Sequence, residues 1–278
     1  MPYKKSDSLI TPKRDTIILR YCKEFKFKDL IETKTLYFNE LLNYRENDKR
    51  EGLIPEANKE GLGNEYLEVI LKGEKIAAHN DWVKKQKVVT CTQRITGVNC
   101  WNLSKKENKR MWNEYALDKR GVIIVSNIGK LIDALNNAKE QIYIGKIKYV
   151  SHKTYVHNDP NPFSYAFLKD KAEFEWEDEL RLITIDKQNN NEVAYAISKI
   201  KKVTDFFDID FEQIKGVGCI RVNCEVNKLI EGIIISPWAD ENYYDEIKSF
   251  LKSNHINCFL QKSYFKGICN ADGKLINL

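Results

Sequence analysis

The chain has 278 residues, 42% hydrophobic, 11% aromatic and 31% charged, and 45 Lys and Arg against 40 Asp and Glu leave a net charge of +5. That balance supports a globular core and excludes a collagen-like chain, a disulfide miniprotein or a wholly disordered one, while the charge permits a polyanion partner without arguing for it. The longest aliphatic runs, Val122–Val125 and Ile233–Ile235, are far short of a membrane span, so no membrane partner is expected.

Residues 1–15 carry no apolar secretion signal, and the seven cysteines include no C-x-x-C pair. A cytoplasmic chain with reduced thiols is expected, with a flexible N-terminus over 1–15 and one domain over 16–278. No histidine or cysteine spacing suits metal ligation, so no metal is expected. Residues 16–21 (TIILRY) predict a strand, Phe25–Glu32 a short helix and Thr35–Phe38 a second strand. The polar stretch 39–62 predicts a long loop, of the length that is often functional or mobile. A helical pattern runs from Asn64 to Lys85, and Val88–Gln93 and Val98–Leu103 are strand candidates.

Ser104 with Glu107 three positions later has capping-box spacing, predicting a basic helix over 104–116. Gly121–Ser126 predicts a buried strand, Ile128–Lys139 a helix, Ile142–Val150 a strand and 151–163 a loop. Ser164–Phe174 then predicts a helix, with strands at Glu177–Ile185 and Val193–Ile197 about a turn at Gln188–Asn191. The tail predicts strands at Val217–Val222, Gly232–Ile235 and Asn257–Gln261 around a helix from Asp240 to Ser253. Strands that follow one another directly predict an α+β fold, a single domain whose mixed, largely antiparallel sheet is flanked by helices. Gly61-Leu62-Gly63 and Gly216-Val217-Gly218 lack the strand–turn–helix context that a phosphate loop requires.

The main candidate for chemistry is Glu177-x-Glu179-x-Arg181. On one strand these three side chains share a face while Leu180 and Leu182 turn to the core. Two carboxylates held ionised by Arg181 suit a ribose hydroxyl and a cation developing at an anomeric carbon; the alternative is a solvated face laced by Glu–Arg pairs. Arg20, set in an apolar strand, either grips a phosphate or carboxylate in a bidentate fork or pairs with a carboxylate such as Glu179. Trp112 and Tyr115 share a helical face, to stack on a base or nicotinamide ring or to pack in the core. Lys105, Lys106, Lys109 and Arg110 make the same helix basic, for a phosphate backbone or for solvent.

Four segments together resemble the bacterial domain of unknown function family 2971: Leu19-Arg20-Tyr21; Cys100-Trp101 with Met111-Trp112-x-x-Tyr115-Ala116 and Gly121–Ile124; Lys148-Tyr149-Val150; and Lys171-x-x-Phe174-x-Trp176-Glu177-x-Glu179-x-Arg181-Leu182. The stretch Leu229–Pro237 and the later Gln261-Lys262-Ser263 fit the same picture. The family tends to carry an Asn-Asp-Pro-Phe-Glu-like segment, whose nearest match here is Asn47-Asp48-Lys49-Arg50-Glu51. The resemblance implies a domain found among bacterial antiviral-defence and toxin genes, with no fixed activity. The order of an early Arg and a late Glu-x-Glu is also similar to ADP-ribosyltransferases, although no Ser-Thr-Ser triplet lies between them.

Carried over residue by residue, that similarity implies a transferase or glycohydrolase using NAD, with Glu179 and Glu177 catalytic. Arg20, Tyr21, Trp112, Tyr115 and Arg181 would bind the NAD, and the acceptor would be an unknown macromolecule. The alternative is a non-enzymatic module of a defence system that binds nucleic acid or protein through the basic helix 104–116.

Overall fold

A computed structural model describes residues 2–60, 86, 88–116, 120–159, 161–186 and 216–265. The helix expected over Asn64–Lys85 and the strand at Val193–Ile197 lie outside the described residues. The architecture is α+β: helices pack on a nine-stranded sheet in which all pairings but one are antiparallel. The strands are β1 (Ile17–Cys22), β2 (Thr35–Glu40), β3 (Thr96–Asn102), β4 (Val122–Asn127), β5 (Ile142–Lys146), β6 (Lys148–Val150), β7 (Leu168–Asp170), β8 (Glu179–Ile185), β9 (Cys219–Asn223), β10 (Gly232–Ile235) and β11 (Phe259–Lys262). Among the described residues, four helices are named below: α1 (Glu24–Thr33), α2 (Lys109–Tyr115), α3 (Ile128–Ala134) and α4 (Glu241–Ser253).

The sheet runs β11-β10-β4-β1-β3-β2-β9, with β8 on the free edge of β3 and β5 beyond it. β3 spends its whole length against β8, from Thr96↔Ile185 to Asn102↔Glu179. Its other edge meets β2 at Val98 and β1 at Asn102. β6 and β7 form a small parallel pair of their own.

Alternation along these strands sorts the side chains onto two faces. One face carries Ile18 and Cys22 of β1, Trp101 of β3, Val122 and Ile124 of β4, Leu180 and Leu182 of β8 and Ile233 and Ile235 of β10, in one core with Phe27, Leu30 and Ile31 of α1. Leu131 of α3 and Tyr243, Ile247 and Leu251 of α4 complete it. Each such side chain contributes about 1.5–3 kcal/mol by leaving water. The opposite face has two apolar patches. Leu19, Tyr21, Ile123 and Ile234 pack beneath Met111 and Trp112 of α2. Val98 and Ile183 pack beneath Leu41, Val88, Ile95, Phe163 and Phe167.

Several local expectations change. Residues 88–94, read as a strand, are helical, and place Val88, Cys91 and Ile95 on the sheet. The run 39–62 contains a 3-10 helix, Leu41–Glu46, and includes the buried residues Asp48, Glu51 and Ile54. The helix expected over Ser164–Phe174 is instead a 3-10 turn, Pro162–Phe167, the strand β7 and a single helical turn, Lys171–Phe174. The cap of the basic helix is Asn108, not Ser104: Asn108 Oδ1 accepts from the backbone N–H groups of Arg110 and Met111. Residues 2–10 run beside β5, where Lys4 N–H donates to Ile142 O at 2.9 Å and Lys146 N–H to Ile10 O at 2.9 Å.

Candidate functional site

Between the two apolar patches of the second face lies a seam of charge. Arg181 of β8 is fully buried and all five of its N–H groups are used. Nε donates to Glu179 Oε1 at 2.7 Å and Nη2 to Glu179 Oε2 at 3.1 Å. Nη1 donates to Glu51 Oε1 and to Ala166 O, both at 2.6 Å, and Nη2 to Glu51 Oε2 at 3.3 Å. The guanidinium thus grips two carboxylates in two bidentate forks, the geometry for which Arg is suited and Lys is not.

A second cation, Lys169 of β7, bridges the same group. Its Nζ lies 2.5 Å from Glu177 Oε2, 3.1 Å from Glu179 Oε2 and 3.9 Å from Glu51 Oε2. Glu51, Lys169, Glu177 and Glu179 are all buried. Burial works against ionising Glu179, but Arg181 and then Lys169 overcome it and hold the carboxyl down at about 2. Burial likewise opposes the charge on Arg181 and Lys169, yet the carboxylates around them, Glu179 foremost, raise both well above their ordinary values. Three carboxylates against two cations leave the cluster one negative charge in excess.

Backbone geometry sets this arrangement. Glu177 is not on the strand. It closes a 3-10 turn, Glu175–Glu177, and Asp178 follows in the left-handed region at φ 38° before β8 begins at Glu179. The single strand face expected for Glu177, Glu179 and Arg181 is therefore corrected: Lys169, rather than strand alternation, gathers the two glutamates. Asn102 Nδ2 donates to Glu177 O at 2.5 Å, and the Glu179 N–H donates to the Tyr149 hydroxyl at 2.7 Å. Glu51 is presented by a tight turn at Gly52, φ 62°, where an added Cβ would lie 2.5 Å from the Gln93 amide.

Arg50 ties this turn to the cluster's edge through Asp170 Oδ2 at 2.9 Å. Asp48, buried beside Glu51, is raised to about 6 by burial and then by the Glu51 charge, and its Oδ2 has no hydrogen-bond partner.

The cluster meets the surface at Tyr115. The Tyr115 ring is 42% exposed, while its hydroxyl turns inward and donates to Glu177 Oε1. Burial of that end, and then the Glu177 charge, push the phenol well above its ordinary range. Beside it lies Trp176, its ring centroid 6.5 Å away and tilted by 31°, with the exposed Arg110 guanidinium 3.9 Å above the indole. An aromatic and cationic rim thus overlies a carboxylate bound to a net-negative interior.

The structure brings together Glu177, Glu179, Arg181 and Tyr115 of the candidate residues and separates the others. Arg20 pairs across the sheet with Ile124 and projects with Ile18 and Cys22 from the opposite face, its guanidinium 5.8 Å from the Trp101 ring centroid. It shares a face with Leu180 and Leu182, not with Glu179, so one cleft holding Arg20 and the glutamates is not what forms. Tyr21 and Trp112 are core residues, stacked edge to face at 5.3 Å. The Tyr21 hydroxyl accepts from Asn108 N–H at 2.7 Å, and Trp112 Nε1 donates to Glu107 Oε2 at 2.9 Å. Neither offers a ring to a ligand.

Sequence reasoning missed Glu51 and Lys169. Glu51 carried a signal, as the last residue of the Asn47–Glu51 segment. Lys169 carried only a weak one, a cation directly after the largely apolar run from Phe163 to Leu168. Among the described residues no group of three His, Cys, Asp or Glu side chains is arranged to hold a metal ion, and no helix is long and apolar enough to cross a membrane.

No protein-family model matches the chain, and no curated relative does. Among solved structures, that of Thermus sp. 2.9 DarT in complex with carba-NAD+ is similar over 95% of this chain and 100% of that one, at 8% identity and a TM-score of 0.33. A likeness of that size carries no argument about this chain's chemistry, which rests on the geometry above.

Proposed function

We propose that the chain is a defence- or toxin-type effector with an ADP-ribosyltransferase-like site that uses NAD, and that it belongs to domain family 2971. The observation that carries the reading is the excess negative charge of the Glu51–Lys169–Glu177–Glu179–Arg181 cluster, covered at the surface by Tyr115, whose hydroxyl donates to Glu177. Losing nicotinamide from NAD leaves positive charge on the ribose, and a fixed anionic cluster in a water-poor setting lowers the energy of that charge. Trp176 and the Tyr115 ring would stack on the nicotinamide, and Arg110, rather than Arg20, is the cation placed to meet the pyrophosphate. Glu177 is the carboxylate directly beneath Tyr115, and Glu179 holds Arg181 and Lys169 in position. The match of Asn47–Glu51 to the family's acidic loop is supported by Glu51 meeting Arg181, the residue that ends the Glu-x-Glu-x-Arg segment.

The test is nicotinamide release from NAD, followed by mass spectrometry with cell lysate as acceptor source. Turnover by the wild type and a fall of about a hundredfold or more in Glu177→Gln are expected, the size usual for a positioned catalytic group. Turnover equal in the wild type and Glu177→Gln would remove the proposal.

A second reading has its own observation. Cations and rings alternate along the α2 surface, Arg110 on Trp176 and Lys109 on Phe265 at 5.7 Å, with Tyr264 59% exposed. Such a surface suits single-stranded nucleic acid. Salt-dependent retention of single-stranded RNA or DNA, weakened by Lys106→Glu with Lys109→Glu, supports it; retention unchanged by that pair removes it.

A further inference from the structure

At the far edge of the sheet a groove of about 510 Å³ opens between α4 and β11. Five strand spacings separate β11 from β8, about 24 Å at ~4.8 Å each, so the groove is separate from the glutamate cluster. We infer that it binds a phosphate group carried on a nucleotide-sized molecule.

The groove's basic side chains carry the argument. Two lysines, Lys248 and Lys252, line it together with His255, and among the described residues none of the three forms an ion pair with a carboxylate. Lys248 and Lys252 are four apart on α4, a spacing at which like charges repel. Of the acidic residues of this helix, Glu246 is engaged with Arg120, and Asp245, three positions before Lys248, forms no ion pair with it.

Basic residues near a helix C-terminus are often explained by the carbonyls they satisfy. Here those carbonyls have other partners. Asn254 N–H donates to Phe250 O at 3.2 Å, His255 N–H to Lys252 O at 3.1 Å and Ile256 N–H to Leu251 O at 2.9 Å. Asn254 Nδ2 adds a second bond to Phe250 O at 2.9 Å. The exposed side chains of Lys252 and His255 are therefore not taken up by those carbonyls, and His255 sits in the left-handed region at φ 57°.

A phosphate offers three oxygens to such compact donors. Leu251, Ile256 and Leu260 give the groove an apolar wall that suits the organic part of the ligand, with Tyr244, Asn257 and Cys258 beside them. A volume of this size lies within the range of about 300–1,000 Å³ common for small-molecule sites.

The phosphate has two possible sources, a free nucleotide or the end of a nucleic-acid strand, and the experiment has an arm for each. Fluorescence anisotropy of mant-ADP, and separately of a fluorescein-labelled oligothymidylate, is followed as the full chain is added at low salt. Saturable binding of at least one probe is expected, weakened about tenfold or more in Lys248→Glu with Lys252→Glu and kept in Lys248→Arg with Lys252→Arg. Binding of mant-ADP assigns a free nucleotide, and binding of the oligonucleotide alone assigns a strand end. Circular dichroism checks the fold of the reversal pair; should that pair not fold, Lys248→Gln replaces it, with a severalfold loss expected. Binding of neither probe, or binding unchanged in a folded charge variant, overturns the inference.

Discussion

Arg181 and Glu179 form the most constrained pair in the molecule. Both forks of the guanidinium are occupied and its surroundings are dry, so removing one carboxylate leaves a buried charge short of its partner. Glu179→Gln and Glu51→Gln are each expected to destabilise the fold by about 3–5 kcal/mol, measured by urea denaturation. A loss below about 1 kcal/mol in both would mean that the cluster is open to water. Asp48 acts in the opposite direction. Its folded pKa of about 6 lies above the ordinary 3.8, so its contribution to stability is present below pH 3.8 and is lost as pH rises through 6. Asp48→Asn is therefore expected to gain stability relative to the wild type above pH 6, and the gain should shrink as pH falls toward 4, where the wild-type carboxyl is itself neutral. A difference independent of pH would contradict the assignment.

At the scale of elements, the connections were harder to read than the strands. The β-branched and apolar alternation of β1, β4 and β10 marks them clearly, and the α4 boundary follows from Asp240, whose Oδ1 accepts from Tyr243 N–H at 2.9 Å. The run Val88–Gln93 has strand-like composition yet is helical, since packing on Val98 and Ile183 outweighs a weak local preference. The stretch 39–62 looked like a polar loop because its charges are polar wherever they lie. Only the opposing cations, Arg181 and Lys169, make the burial of Glu51 tolerable, and they come from more than a hundred residues away. Ser104 has capping-box spacing, but α2 starts five residues later, and Asn108 caps it with two backbone N–H groups. Asn108→Ala is expected to cost about 1 kcal/mol in thermal unfolding, with Ser104→Ala close to neutral; the reverse order would restore the earlier cap.

Across the whole molecule, strand parity decided which candidate residues meet. The alternation of Ile18, Arg20 and Cys22 was legible, as was that of Leu180 and Leu182, but which faces coincide depends on register. Leu19↔Asn102 and Asn102↔Glu179 put Leu19, not Arg20, on the face of the glutamates. No local pattern contains that information, because shifting either pairing by one residue would reverse it. The charge cluster also shapes the acid response of the fold. The folded pKa of Glu179, about 2, lies below its ordinary 4.5, so its contribution is present above pH 4.5 and is lost as pH falls toward 2. The shift corresponds to about 3 kcal/mol. The wild type is expected to lose stability over that range more steeply than Glu179→Gln, and parallel profiles would contradict the cause assigned here.

In the proposed reading NAD would lie on the Tyr115–Trp176 rim, and Arg20 and Trp101, on the other face of the sheet, would take no part. Tryptophan fluorescence distinguishes the two faces directly. Adding NAD to the wild type is expected to quench the emission saturably, with the quench abolished by Trp176→Phe and retained in Trp101→Phe. A quench that survives Trp176→Phe and disappears in Trp101→Phe, or no saturable quench at all, would contradict the account.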